Sequence, residues 1–421
     1  MALTRGLAVI SWLKIDDLIT GEITAEEKAR LNSVLSQTAI TVEADLKGKW
    51  AAALQTQNWP SHSTLLADPN TWNALGENIK NDLEAADFQI DIILFDAPPH
   101  ADDRTVQAII QHVRKSSAQA IIAVGSGTLN DLAKAASYRL GVPYAVCGTA
   151  PSMNGYLSAN AAIMEQGHKR SVPAHLPRVA LFDLSVLKAA PARMKASGFG
   201  DALCRSTAQV DWLLSHHLLG TTYDPLPFAL LMPHESALMA GDEKALILSL
   251  LLSGLGMTLA GGSYPASQGE HLLAHYIEMH YPHIAHQHFH GEHIAVTTLE
   301  VARHQEKLLA CRTAPALRPP VDQTLCRKHF GDTLGQAVWQ EWHQKQQAVQ
   351  AMKMSDSDWL SIAAELRKHH IRAQKLEAAL LHVGAPTTPQ AIGWSAEMMA
   401  EAWRYAPLIR NRFTCLDVVA T

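Results

Sequence analysis

Five short apolar runs in the first half of the chain exclude most folds. "STLLADPN" (63–70), "IDIILFD" (90–96), "QAIIAVGSG" (119–127), "PYAVCGT" (143–149) and "RVALFDL" (178–184) read as strands that run into turn residues. Helical patterns separate them: "TWNALGENIKNDLEAA" (71–86), "TVQAIIQHVRKS" (105–116) and "TLNDLAKAASYRLG" (128–141), the last closed by Gly141. Strands apolar on both faces, alternating with helices, predict a parallel sheet covered on both sides. This is a nucleotide-binding kind of architecture, although a fold alone does not define a function.

After "APARMKASGFGD" (190–201) the pattern turns helical. "ALILSLLLSGLGMTLAG" (245–261) is too long for a strand, and "QAVWQEWHQKQQAVQAMK" (336–353), "WLSIAAELRKHHIRAQKLEAALLHVG" (359–384) and "WSAEMMAEAWRYAPLIR" (394–410) all read as helical. "TAPALRPPVDQ" (313–323) reads as an exposed loop. The expected organisation is an α/β Rossmann-like nucleotide-binding domain over residues 1–190, with an N-terminal extension (1–45), and an all-α domain over 191–421. "GLAVISWL" (6–13) reads as a buried strand or helix, not a signal peptide. No apolar run reaches the roughly 20 residues of a membrane helix. A net charge of -5 gives no basic surplus for nucleic acid. The five cysteines are scattered and form no C-x-x-C pair, so reduced thiols and a cytoplasmic setting are expected.

Two places carry candidate chemistry. In "AVGSGTLND" (123–131) a strand runs into a helix through two glycines. Gly125 and Gly127 allow close approach of a ligand, and the amides of Ser126, Gly127 and Thr128 face it at the positive end of the helix dipole, which suits a pyrophosphate. It is neither G-x-G-x-x-G nor a Walker loop, and a plain strand-to-helix turn is the competing reading. Asp68, at the end of an earlier strand, is placed to accept hydrogen bonds from an adenosine ribose or to cap the helix after Pro69. "CGTAPSMNGYLS" (147–158) follows the next strand and either lines the path of the same ligand or forms an ordinary polar loop.

The second place is "GEHLLAHYIEMHYPHIAHQHFHGEH" (269–293), which holds eight of the 22 histidines. Histidine is the commonest transition-metal ligand, but one ion uses three or four at most. His271 and His275 are four apart and share a helix face. They fit two ligands, or one ligand beside a proton-handling group. His290 opens a loop-then-helix pattern. His283, His286 and His288 lack a helical period and read as loop residues. Asp201, at the end of "SGFGD", reads as a ligand or as the N-cap of a helix beginning there.

Together the motifs resemble the bacterial-type sn-glycerol-1-phosphate dehydrogenases, within the superfamily of glycerol dehydrogenase, iron-dependent alcohol dehydrogenases and dehydroquinate synthase. "LLADPNTWNALG", "AVGSGTLNDLAK", "GTAPSMNGYLSANAAI", "LFDLSVLKAAPARMKASGFGDALCR", "GEHLLAHYIEM" and "HGEHIAV" occur in family order, and "RNRFTCLDV" is similar to the family's ending. The resemblance implies a dehydroquinate synthase-like fold and roles by position. Asp68 would bind the adenosine ribose. Gly125, Ser126, Gly127, Thr128 and Leu129 would form the pyrophosphate turn. Thr149, Ala150, Pro151 and Ser152, with Ser158, would contact the rest of NAD(P). Asp201, His271 and His290 would ligate one divalent ion, zinc first, with nickel or iron as alternatives. His275 would contact substrate and relay a proton, and Asp201 would also touch substrate.

Two positions depart from the family pattern. Asn154 stands where an aspartate is usual, at a place expected to touch substrate hydroxyls. Asparagine still hydrogen-bonds but carries no charge. Arg205 stands four after Asp201, where iron-type relatives have a ligating histidine. It is expected either to grip a substrate phosphate or to form a salt bridge. The implied activity is NAD(P)-linked interconversion of dihydroxyacetone phosphate and sn-glycerol 1-phosphate. Alternatives are a glycerol-type polyol dehydrogenase, a dehydroquinate-synthase-like cyclase, or a nucleotide-binding member without activity. The expected partner is a small phosphorylated triose or polyol, with no nucleic acid and no membrane insertion. A homo-oligomer, dimer or larger, is also expected.

Overall fold

A computed structural model describes residues 23–350, 352 and 354–419. "GLAVISWL" lies outside the described residues. Six strands form one sheet: β1 (Ala39–Glu43), β2 (His62–Ala67), β3 (Gln89–Leu94), β4 (Ala120–Gly125), β5 (Tyr144–Gly148) and β8 (Val179–Asp183). Their order is β1-β8-β5-β4-β2-β3, and every neighbouring pair is parallel. The five runs read as strands are all in it.

The double-sided burial follows from the two-residue period of a strand. In β4, Ile121 and Ala123 join one core while Ala120, Ile122 and Val124 join the other. In β8, Ala180 and Phe182 divide from Val179 and Leu181 in the same way. All six residues of β4 are buried, which only helices on both faces allow. Helix α1 (Gly127–Leu140) follows β4 and ends at Gly141, whose φ of +71° is the left-handed conformation a helix C-cap requires.

Three features of this half were not anticipated. Residues within 1–45, treated as an extension, supply the helix Ala25–Leu35 and the edge strand β1. An antiparallel hairpin, β6 (Asn160–Glu165) and β7 (His168–Pro173), follows β5. It turns at Gln166 and Gly167, both with positive φ.

Beyond β8 the chain is helical apart from the two-residue pair β9 (Ala316–Leu317) and β10 (Val418–Val419). Its first strand, β9, lies inside the stretch read as a loop (313–323). The pattern at 359–384 is two helices, Asp356–Arg367 and Ala373–His382. Trp359, Ala363 and Leu366 feed one core cluster, whereas Ala373, Leu376 and Leu380 feed another, so one straight helix cannot serve both. The helix Glu243–Leu259 is buried nearly all round. Among the described residues no helix is long and apolar enough to cross a membrane.

Candidate active site

Helix α2 (Ala192–Leu203) carries Asp201 in its last turn, so the aspartate is not an N-cap. Helix α3 (Gly269–His280) carries His271 and His275, and helix α4 (His290–Ala310) starts at His290. Glycines bring α2 and α4 together. A Cβ on Gly200 would fall 2.1 Å from the Gly291 carbonyl oxygen, and one on Gly291 would fall 1.9 Å from that of Ser197. The two backbones are therefore in direct contact, which sets Asp201 against His290. Gly198 meets the Pro151 carbonyl in the same manner, docking the 149–158 loop on α2.

Asp201, His271 and His290 each offer a ligand atom within 4.8 Å of the others. Asp201 Oδ2 accepts a hydrogen bond from the Asn154 amide at 2.8 Å. Its Oδ1 is buried without a hydrogen-bond partner, 3.6 Å from His271 Nε2. Each imidazole is oriented through its other nitrogen. His271 Nδ1 lies 3.0 Å from Glu270 Oε1, and His290 Nδ1 lies 2.9 Å from Glu278 Oε1. A metal centre is built this way, with carboxylates fixing the tautomer and ring angle of ligating histidines. The donor set fits a divalent cation: one carboxylate oxygen and two ring nitrogens converge, and an open position remains.

Two other combinations also bring donors together, Cys204–Glu270–His271 and His275–Glu278–His290. Their carboxylates are already committed. Glu270 accepts from the Gln268 amide at 2.7 Å and the Thr207 hydroxyl at 3.0 Å. Glu278 accepts from Lys169 Nζ at 2.6 Å and sits 3.0 Å from His293 Nδ1. His293 is a buried member of α4 in this network, and Pro282–Ala285, which holds His283, is a short helix, not a loop.

Charge sets the protonation of the cluster. Burial would raise the Glu278 carboxyl, but Lys169, His290 and His293 hold it well below the usual range. Burial lowers the His271 imidazole, yet Asp201 and Glu270 outweigh it and its pKa stands above normal. Burial lowers His290 against the pull of Glu278. His275 is pushed well below its usual value, first by burial and then by the Lys169 charge. Its ring centroid lies 5.6 Å from those of both His271 and His290, and its buried Nδ1 has no partner. Asn154 Nδ2 is likewise buried and unpaired.

The second half of the site lies at the sheet. The chain leaves β2 toward β3 on one side and returns to β4 on the other, so strand order reverses between β2 and β4. In open parallel sheets a crevice forms at that switch point, beyond the carboxyl ends of the strands. Asp68 follows β2 and Gly125 ends β4, so both border it. Asp68 Oδ1 caps the next turn through the amides of Asn70 (2.8 Å) and Thr71 (2.9 Å). The capping alternative thus holds for one oxygen, and Oδ2 has no protein partner among the described residues. Ser126 precedes α1 without a side-chain cap, so its first amides are left for an anion. That fits the pyrophosphate of a dinucleotide.

The loop from Thr149 to Ser158 spans the two halves. The Thr149 amide donates to the Gly125 carbonyl at 3.2 Å, and the Ser152 amide to that of Ala150 at 3.0 Å. Tyr156 Oη donates to the Ala150 carbonyl at 2.6 Å. Ser158 is buried beneath the loop, with its hydroxyl 2.8 Å from Lys134 Nζ. Lys134 also donates to the carbonyls of Gly155 and Asn160. Arg205 does not reach the metal cluster as a free cation, because its guanidinium is paired with Glu235.

Glu270, Glu278, Lys134 and Lys169 were missed as site residues. Glu278 was detectable, because His271, His275 and Glu278 follow i, i+4, i+7 spacing on one helix face. Lys134 had a weaker signal, a lone cation inside the apolar face of α1.

The family description "Iron-containing alcohol dehydrogenase" matches residues 41–191. A glycerol-1-phosphate dehydrogenase [NAD(P)+] of Thermococcus sibiricus is 31% identical over 61% of this chain and 75% of its own length. The chain belongs to the iron-containing alcohol dehydrogenase family, among the glycerol-1-phosphate dehydrogenases. A member of the same name from Bacillus velezensis is 29% identical and covers 90% of both chains. A probable glycerol dehydrogenase from Sinorhizobium meliloti shares the fold at a TM-score of 0.59 and 18% identity, over 89% of each chain. The family is one of oxidoreductases, and this chain is an enzyme of that class.

Proposed function

We propose that the chain is a metal-dependent, NAD(P)-linked dehydrogenase that interconverts dihydroxyacetone phosphate and sn-glycerol 1-phosphate by hydride transfer. The observation that carries this is the Asp201–His271–His290 cluster, with one buried carboxylate oxygen left free, beside an uncapped helix start at the switch point of a parallel sheet. Substrate identity rests on relatives that carry that name across most of this chain.

When bound, a divalent ion supplies Lewis acidity at the substrate oxygen and the nicotinamide supplies the hydride. Asp201, His271 and His290 hold the ion, and Glu270 and Glu278 fix the two rings. Asp68 and the turn from Gly125 to Leu129 hold the dinucleotide, and Thr149, Ala150, Pro151 and Ser152 lie along the loop that carries it toward the cluster. Ser158 supports that loop from below through Lys134. His275, kept neutral by burial, accepts the proton of the substrate hydroxyl in the oxidative direction, and only the imidazolium so formed returns it to the substrate oxygen in the reductive one. Asn154 hydrogen-bonds a substrate hydroxyl through its unpaired Nδ2.

Zinc is the first choice for the ion, since aspartate with two histidines suits it, and nickel or iron fits the same donors. Residues 1–190 and 191–421 serve as the nucleotide and the metal-and-substrate domains. No disulfide joins the cysteines among the described residues, which suits a cytoplasmic setting. A homo-oligomer, dimer or larger, completes the reading and is checked by light scattering. The deciding assay gives metal-loaded protein NADH or NADPH with dihydroxyacetone phosphate, then with dihydroxyacetone. Oxidation with the phosphorylated ketone is expected. No oxidation of either cofactor with either ketone overturns the proposal.

A further inference from the structure

A pocket of about 170 Å³ opens between strand β7 and the C-terminal "RNR". Lys169, Arg170, Arg410 and Arg412 line it, with Glu341 as its one carboxylate. The two segments are tied by the Arg410 guanidinium, which donates to the Lys169 carbonyl at 3.2 Å, and by His168 Nε2, 3.2 Å from the Ile409 carbonyl. Glu341 already accepts from the Asn411 amide at 2.8 Å.

Neither Arg410 nor Arg412 has an ion-pair partner among the described residues. Arg412 donates to the Ser267 carbonyl and to Ser263 Oγ, and lies over the Tyr264 ring at 4.6 Å. Burial, then the neighbouring Arg412, draws Arg410 down to about 10, which leaves it charged at neutral pH. Two enclosed guanidiniums with no carboxylate in ion-pair contact are unfavourable unless an anion joins them. Guanidiniums also match the oxygen spacing of a phosphate.

One side chain links the pocket to the metal cluster. Lys169 lies on its wall and bonds Glu278, which orients His290. The charges of Lys169 and Arg410 are both felt at His275. We infer that Arg410 and Arg412, with Lys169 beside them, seat the phosphate of the phosphorylated substrate, so that its carbon chain points from the pocket to the Asp201–His271–His290 cluster. Arg205 does not fill this role, because Glu235 occupies it. The inference rests on the dehydrogenase reading above and adds to it the determinant that separates a phosphorylated from an unphosphorylated ketone.

The test uses the metal-loaded full chain, wild type, Arg410→Gln and Arg412→Gln. The KM for dihydroxyacetone phosphate should rise about tenfold or more in each variant, the loss expected for one hydrogen bond to a charged group. kcat/KM for dihydroxyacetone, which has no phosphate to seat, should fall at least severalfold less than kcat/KM for dihydroxyacetone phosphate. Inorganic phosphate should compete with the ketone phosphate in the wild type and lose that effect in the variants. An unchanged KM, or an equal rise with both ketones, overturns the subsite. So does a rise confined to NADPH, which would assign the pocket to the cofactor's 2′-phosphate. If the wild type turns over neither ketone, the dehydrogenase reading fails and a second readout decides the pocket. Inorganic phosphate should then raise the melting temperature of the wild type but not of Arg410→Gln, and the absence of a wild-type shift overturns the subsite. Should Arg410→Gln fold poorly, Arg410→Lys should fold and keep most of the phosphate effect. Its complete loss in a folded Arg410→Lys contradicts that expectation and overturns the assignment of Arg410.

Discussion

At the scale of single residues, the site depends on pairs: His271 and His290 are each held from behind by a carboxylate. His271→Ala or His290→Ala should therefore lose bound metal by elemental analysis, whereas His275→Ala should keep it and lose turnover. Equal metal loss in all three would refute the ligand assignment. Glu278→Gln keeps the shape but weakens its grip on His290, Lys169 and His293 together. Metal affinity should fall by roughly ten- to a hundredfold. Unchanged affinity, measured by competition with a chelator, would show that Glu278 serves only the fold. Lys134 gives a prediction in pH. Burial draws its amine from 10.5 to about 8. Between those values the unfolded chain binds more protons than the folded one, so stability rises with pH; below about 8 both states are charged and the full penalty of burying the cation applies. Relative to Lys134→Met, the wild type should gain about 2 kcal/mol between pH 7.5 and 9.5 in urea unfolding. A flat difference would mean that the amine is not desolvated.

At the scale of elements, much was legible. The five runs became strands because two-sided apolar sequence has few other uses, and His271 and His275 share a face because helical spacing is local. The rest depended on contacts between distant segments. Nothing near "RKHHIR" marks the helix break at 368–372, which exists because two cores must be reached. The hairpin β6–β7 has only a Gln-Gly turn to announce it, a weak relative of the usual Asn-Gly. Asp201 looked like a helix start because the glycines before it suggested a turn. Gly200 is instead a flat place where α2 meets α4, and Gly198 one where the 149–158 loop docks. Gly200→Val tests this, since its side chain must occupy the position of the Gly291 carbonyl. A loss of at least about 3 kcal/mol is expected, together with loss of metal. A variant of normal stability would show that the helices separate easily.

At the scale of the molecule, the C-terminal segment is a strap across both halves. Lys345 Nζ lies 2.6 Å from Asp417 Oδ1, buried, and donates to the Pro407 and Arg412 carbonyls. The strap carries Arg410 and Arg412 and, through Arg410, holds the hairpin strand β7. Lys345→Met would leave Asp417 charged and unpaired in the interior, at a cost of about 3–5 kcal/mol in chemical unfolding. A much smaller loss would mean that water reaches Asp417. Sequence reasoning could place the strap in the family pattern but not its anchor, since residues 345 and 417 meet only in three dimensions.

The contact between Gly200 and Gly291 bears on how the protein acquires its ion. Two of the three proposed ligands, Asp201 and His290, stand on main chain that touches main chain, so this side of the hole is shaped before anything fills it. Chelation should then lower the melting temperature only by the lost binding energy, about 2.7 kcal/mol at a hundredfold excess of free ion over Kd, with the circular dichroism spectrum unchanged. Reloading should restore activity without refolding. A rigid gauge of this kind selects by fit and leaves supply to the cell, so ions of similar radius become interchangeable parts of one machine.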